Sequence, residues 1–166
     1  MMSRRNTLLG LGAVSALLAS ARGLFGGSPA QAAPPAHTYE ISKTDADWKA
    51  LLKPDQYAVL RKAGTERPHT SPLNKEKRAG TYSCAGCALP LFASSTKFES
   101  GTGWPSFWQP LDKAVVEESD TSLFIKRTEV LCRRCGGHLG HVFTDGPRPT
   151  GLRYCMNGVS LNFTAA

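Results

Sequence analysis

The sequence predicts a mainly β fold: an antiparallel sheet or small barrel with short helices packed at its N-terminal side. Three observations predict it. After Gly80 the chain breaks into short runs rich in β-branched and aromatic residues, punctuated by Gly and Pro. Helical patterning is confined to residues 44–64. Two Cys-x-x-Cys pairs, Cys84/Cys87 and Cys132/Cys135, each follow a strand-like run with glycine beside the turn.

Residues 1–32 stand apart from that fold. A basic start (Arg4, Arg5), an apolar run from Leu8 to Ala21 and the small residues Ala30-Gln31-Ala32 form the layout of a cleaved export signal. Ser3-Arg4-Arg5-Asn6-Thr7-Leu8-Leu9 is similar to a twin-arginine signal, which points to a periplasmic destination. The competing reading is an uncleaved anchor. The run is shorter than the roughly 20 residues a span needs, so membrane contact is expected only during export. Residues 33–43 then form a tether that begins Ala/Pro-rich, and residues 44–166 form one domain.

The whole chain carries 20 Lys+Arg against 13 Asp+Glu, a net charge of +7. Removing Arg4, Arg5 and Arg22 with the signal leaves 17 against 13, or +4. Four thiolates on one Zn²⁺ would lower that to +2, so the basicity is only a weak argument for a nucleic-acid partner, and none is expected.

The elements follow in order. Thr44-Asp45-Ala46-Asp47 ahead of "WKALL" has the form of a capping box opening a first helix. Pro54 suits the first position of a second, "PDQYAVLRKAG", with Gly64 as its stop. Residues 65–78 are polar, contain Pro68 and Pro72, and read as an extended connector in which His69, like His37 in the tether, has no special role. The strand candidates are "TYSC", "SLFIKR", "EVLC", "GHVF", "LRYCMN" and "VSLNF".

A two-residue gap lets both sulfurs of a Cys-x-x-Cys turn face one point, and two such turns complete a tetrahedral zinc shell. The 44 intervening residues add under roughly 1 kcal/mol of loop entropy, against zinc binding on the order of 10 kcal/mol. Two disulfides compete with this reading, since an exported protein meets an oxidising compartment. A thioredoxin-like redox pair is disfavoured by the duplicate motif and the missing βαβ pattern. Covalent haem is disfavoured because no His follows the second cysteine of either pair. A closed shell of four cysteines leaves no open metal position, so chemistry must lie elsewhere.

Cys155 is the fifth cysteine. In a strand, Arg153, Cys155 and Asn157 share one face, and Tyr154 and Met156 the other. A thiol near pKa 8.5 is only a few per cent ionised at neutral pH. A guanidinium and an amide beside it favour the thiolate, while His138 and His141 upstream offer acids or bases. The bland reading is a buried structural cysteine. Within "GTGWPSFW", Trp108 reads as packing and Trp104, on a Gly-flanked turn, as a wall of an apolar pocket.

"TYSCAGCALPLF", "FESGTGWPSFW", "CRRCGGHLGHVFTDGP" and "GLRYCMNGVSLNF" together resemble methionine sulfoxide reductases of the B type, from about Asp45 to Thr164. The resemblance implies two antiparallel β-sheets forming a small barrel-like fold, with zinc on Cys84, Cys87, Cys132 and Cys135. It also implies reduction of the R epimer of methionine sulfoxide in oxidised proteins, and more weakly of the free amino acid. By position it implies Cys155 as nucleophile, with His138, His141 and Asn157 around the sulfoxide oxygen. Asp145 and Arg153 support that shell, and Trp104 contacts the methionine methyl group. The chain departs from many members at Thr102, where they have a cysteine that resolves the sulfenic acid formed on the nucleophile. Recycling is therefore expected from an external thiol, a thioredoxin-like domain or a small molecule. The runner-up is an exported zinc-ribbon-like binding module using Arg133 and Arg134. It leaves "RYCMN" and "HLGHVF" unexplained.

Overall fold

The computed structural model describes residues 37–122 and 126–166. The expected export signal, the start of the tether and the centre of "SLFIKR" lie outside the described residues. No helix among the described residues is long and apolar enough to cross a membrane.

Helix α1 (Asp45–Leu51) begins with the expected capping box. The Asp47 N–H donates to Thr44 Oγ1 at 3.2 Å, and the Thr44 N–H donates to the Asp47 carboxylate at 3.1 Å. Helix α2 (Pro54–Lys62) starts at its proline but does not stop as the sequence suggests. Ala63, not Gly64, takes the left-handed conformation (φ 52°), and the Gly64 N–H returns to the Ala58 carbonyl at 3.0 Å.

Nine strands follow among the described residues: β1 (Gly80–Cys84), β2 (Pro90–Ala93), β3 (Lys97–Phe98), β4 (Ser106–Phe107), β5 (Val115–Asp120), β6 (Arg127–Cys132), β7 (His138–Phe143), β8 (Arg153–Met156) and β9 (Leu161–Ala165). They form two antiparallel sheets, ordered β2-β1-β9 and β3-β4-β8-β7-β6-β5. The mainly β class with two sheets is as expected, with differences in detail. "VSLNF" is a strand only from Leu161, because residues 158–160 make a 3₁₀ turn. Of the described residues of the "SLFIKR" run, Arg127 opens β6. Strand β5 escaped the sequence pattern: "VVEESD" is an edge strand in which Glu117, Glu118 and Ser119 are exposed and polar, with no apolar alternation. The 65–78 connector also contains a 3₁₀ turn, Pro72–Lys75.

Aromatic side chains hold the sheets together. Phe92 of β2 stacks on Phe107 of β4 at 4.4 Å, and Tyr82 of β1 meets Phe107 edge-on at 4.9 Å. All three are fully buried, with Leu139 and Met156 in the same core. Three rings of this size carry much of the inter-sheet attraction. On β8, Tyr154 and Met156 are in this core, so Arg153 and Cys155 face the opposite side.

The helices cover the Cys-x-x-Cys turns. Trp48 of α1 and Leu60 of α2 are 2 % exposed and pack against Gly86 and Gly137. A Cβ on Gly137 would stand 2.9 Å from Leu60 Cδ2, so a side chain there would displace that methyl group. The Arg61 guanidinium lies 4.8 Å over the Trp48 ring and donates to the Cys135 carbonyl at 3.0 Å. Residues 37–41, within the described part of the expected tether, lie along the second turn. Ile41 N–H donates to the Arg134 carbonyl at 3.0 Å, and His37 Nε2 is 2.9 Å from the Arg133 carbonyl.

Candidate active site

The cross-strand register assembles the site. Cys155 on β8 pairs directly with His141 on β7 and with Ser106 on β4; His141 pairs in turn with Glu129 on β6. Directly paired residues share a face, so Ser106, Cys155, His141 and Glu129 form one row on the face away from the aromatic core. In a regular strand His138, three residues before His141, would point the other way. A bulge prevents that: Val130 pairs with Gly140 and Leu131 with His138, leaving Leu139 as the extra residue. The two imidazoles end 5.4 Å apart in an edge-on contact. Gly140 is required here, because a Cβ would lie 2.1 Å from the Cys155 carbonyl oxygen.

Cys155 is half-buried at a cleft of about 140 Å³ walled by Thr65, Trp104, His141, Phe143, Arg127 and Asn157. Of the residues singled out from sequence, Trp104, His141, Cys155 and Asn157 line it. His138, Arg153 and Asp145 do not; they stand behind or beside it.

Each histidine has a carboxylate on one nitrogen. His138, 4 % exposed, has Nδ1 2.6 Å from Glu129 Oε1, while its buried Nε2 has no partner among the described residues. His141 has Nε2 2.9 Å from Asp120 Oδ2. Burial pushes His141 below its ordinary value and outweighs the opposing pull of Asp120. Hydrogen bonds from Ser122 and from His141 hold the Asp120 carboxyl well below the carboxylate range. Each carboxylate fixes its ring's orientation, and at His141 the Asp120 carboxylate partly offsets the effect of burial.

Arg153 is 8 % exposed and donates twice to Asp145, Nε to Oδ1 and Nη2 to Oδ2, both at 2.9 Å. Its guanidinium also lies 4.4 Å over the Phe143 ring. The hydrogen bonds to Asp145 are the main cause that raises the Arg153 pKa, and the charge of Cys155, two residues along the strand, raises it further. The cation is thus locked beside Cys155 by a fork that a lysine could not reproduce.

Asn157 is more constrained than its alternation with Cys155 suggests. Its Oδ1 accepts the Glu66 N–H at 2.9 Å and its Nδ2 donates to the Leu139 carbonyl at 3.1 Å. Glu66 itself escaped the sequence reading. The Trp104 Nε1–H donates to its carbonyl at 3.1 Å, and its carboxylate accepts the N–H groups of Gly158 (2.6 Å) and Val159 (3.0 Å). Burial raises the Glu66 pKa despite those two donors. Glu66 therefore ties the Trp104 wall to the Asn157 wall. Asp120 and Glu129 also escaped notice. Glu129 could have been found only once the β6–β7 register was known, and nothing in the sequence marks Asp120.

Cys84, Cys87, Cys132 and Cys135 present four sulfurs within 4.8 Å of one another. The Cys84–Cys135 and Cys87–Cys132 separations are 3.8 and 3.5 Å. Zn–S bonds near 2.3 Å imply sulfurs about 3.8 Å apart in a regular tetrahedron, whereas a disulfide needs about 2.05 Å. The cluster is therefore placed to bind a metal ion. Neither Cys155 nor either site histidine belongs to it.

Comparison with known proteins agrees with this geometry. The model of the SelR domain matches residues 52–165. The peptide methionine sulfoxide reductase MsrB of Leptospira interrogans is 58% identical over 126 residues, covering 75% of this chain and 96% of that protein. The protein of the same name from Pseudomonas putida is 60% identical over 125 residues, covering 75% and 94%. That of Methanosarcina mazei is 57% identical over 126 residues, covering 75% and 90%.

Proposed function

Because the chain belongs to the SelR-domain family of MsrB-type peptide methionine sulfoxide reductases, we propose that it reduces the R epimer of methionine sulfoxide through Cys155. Methionine sulfoxide reduction, an oxidoreductase activity, follows from membership. The epimer, the intermediate and the reductant are our reading. The observation that carries it is the direct pairing of Cys155 with His141 in a cleft walled by Trp104.

The thiolate of Cys155, with Arg153 on the same strand, attacks the sulfoxide sulfur. The oxygen is a poor acceptor of electron density until it is protonated, so His141 or His138 supplies a proton. The sulfur–oxygen bond breaks, the oxygen ends on Cys155 as a sulfenic acid, and methionine leaves reduced by two electrons. An external thiol then condenses with the sulfenic acid, releasing water and leaving a mixed disulfide. A second thiol frees Cys155 and carries away the disulfide. A thioredoxin-like domain or a small thiol would serve, and oxidised proteins supply the substrate. Trp104 supports epimer selection, because an indole on one side and an acid on the other fit the methyl group and the oxygen in one hand only.

We assign zinc to the four-cysteine cluster, where it would anchor both turns and, with its shell closed, offer no position for substrate. A periplasmic location rests on Arg4-Arg5, the Leu8–Ala21 run and Ala30-Gln31-Ala32.

Racemic dabsyl-methionine sulfoxide with dithiothreitol tests the reading. Turnover is expected to stop near half conversion with the S epimer left. Complete consumption would overturn the epimer assignment, and no consumption would overturn the activity.

A further inference from the structure

We infer that Thr102, Ser100 and Ser106 form a hydroxyl relay that reverses direction when Cys155 ionises, which makes Thr102 a further catalytic residue. This deepens the proposed function, since it rests on Cys155 as the nucleophile.

The relay is continuous. Thr102 Oγ1 lies 3.7 Å from Cys155 Sγ, within sulfur hydrogen-bonding distance. Ser100 Oγ is 2.8 Å from Thr102 Oγ1 and 2.7 Å from Ser106 Oγ. Ser106 Oγ is 3.1 Å from the Trp104 carbonyl. The Thr102 N–H also points at Ser100 Oγ, 3.4 Å away, which holds the Ser100–Thr102 turn in place. Ser106 is 1 % exposed and is the strand partner of Cys155, so the relay is built into the sheet rather than draped over it.

Each hydroxyl has one proton to donate, so such a chain can run in only one direction at a time. With Cys155 as a thiol, S–H donates to Thr102, Thr102 to Ser100, Ser100 to Ser106, and Ser106 to the Trp104 carbonyl. Every hydroxyl proton is then used. With Cys155 as a thiolate, its proton having left to solvent through the cleft, the order inverts: Ser106 donates to Ser100, Ser100 to Thr102, and Thr102 to the sulfur. Only rotations about C–O bonds are needed, and no hydroxyl proton changes its oxygen. The inverted chain gives up two neutral bonds, the weak one from the thiol to Thr102 and the one at the Trp104 carbonyl, and gains a charge-assisted bond at sulfur, which is the stronger kind. A hydroxyl at position 102 thus supplies a switchable donor to Cys155.

The test separates this role from simple packing. Thr102→Val keeps the shape and removes the donor, Thr102→Ser keeps the donor, and Ser100→Ala cuts the relay without touching Cys155. Alkylation by iodoacetamide, followed by mass spectrometry of the Cys155 peptide across pH, reports the thiolate directly. In Thr102→Val the midpoint is expected to move up, with alkylation below it slowed about tenfold, the effect of one hydrogen bond to a charged group. Ser100→Ala should move it the same way by less, and Thr102→Ser should restore the parent profile. Superimposed profiles for Thr102→Val and the parent, or a Thr102→Ser profile matching that of Thr102→Val, would overturn the relay. If Thr102→Val fails to fold, Ser100→Ala decides, an unshifted profile overturning it. Sulfoxide reduction retained by Cys155→Ser would instead overturn the nucleophile assignment, and the alkylation profiles are read independently of it.

Discussion

At the scale of single residues, the site depends on charges held by partners far away in sequence. His141 has an ordinary value of 6.5, and burial places it lower in the folded protein. The unfolded chain therefore binds that proton more readily, so this group's contribution to stability is lost as pH falls through the ordinary histidine range toward the folded value. His141→Gln should flatten the dependence of melting temperature on pH between about 7 and 5, and should slow single-turnover reduction by roughly 10²–10⁴-fold if His141 supplies the proton. An unchanged single-turnover rate would assign that role to His138. Arg153 and Cys155 were legible in the sequence because strand alternation puts them on one face, whereas His138 reaches the side of His141 only through the bulge at Leu139. Glu66 was not, because its partner Asn157 lies 91 residues away and only the folded connector joins them.

Among the elements, strands β7 and β8 were legible, and so were both helices with the capping box at Thr44. The bulge at Leu139 and the edge strand β5 were not, since a bulge depends on the partner's register and an exposed edge has no apolar alternation. The connector of residues 65–78 carries more than its polar composition suggests. Glu66 closes the 3₁₀ turn after β8 with two carboxylate hydrogen bonds to separate N–H groups. Glu66→Gln would oppose one of those donors with another donor. It is expected to lower stability by about 1–3 kcal/mol and to raise KM as the Trp104 and Asn157 walls loosen. Melting by circular dichroism and steady-state kinetics check both effects. A variant with parent-like melting and KM would show that the connector does not position the cleft.

For the whole molecule, two clusters divide the labour: four sulfurs beneath the helices join β1, β6 and the loops after them, while the cleft lies across β8 and β7. Metal removal should therefore unfold the protein rather than merely silence it. Chelation, or replacing any one of Cys84, Cys87, Cys132 and Cys135 by serine, should release one equivalent of zinc and lower the melting temperature sharply, given a binding free energy on the order of 10 kcal/mol. Metal analysis with melting curves checks this, and parent-like melting of the metal-free protein would contradict it. The catalytic cluster has the opposite signature, since Cys155→Ser should leave zinc content and melting nearly unchanged. The most direct measurement is a single turnover of the parent and of Cys155→Ser with R-methionine sulfoxide, without reductant and with dimedone present. The parent should yield one methionine per chain and one dimedone adduct, on Cys155, while the variant yields neither. Methionine formation by Cys155→Ser at the parent rate, or a parent adduct on any other cysteine, would contradict the assignment of the chemistry to Cys155.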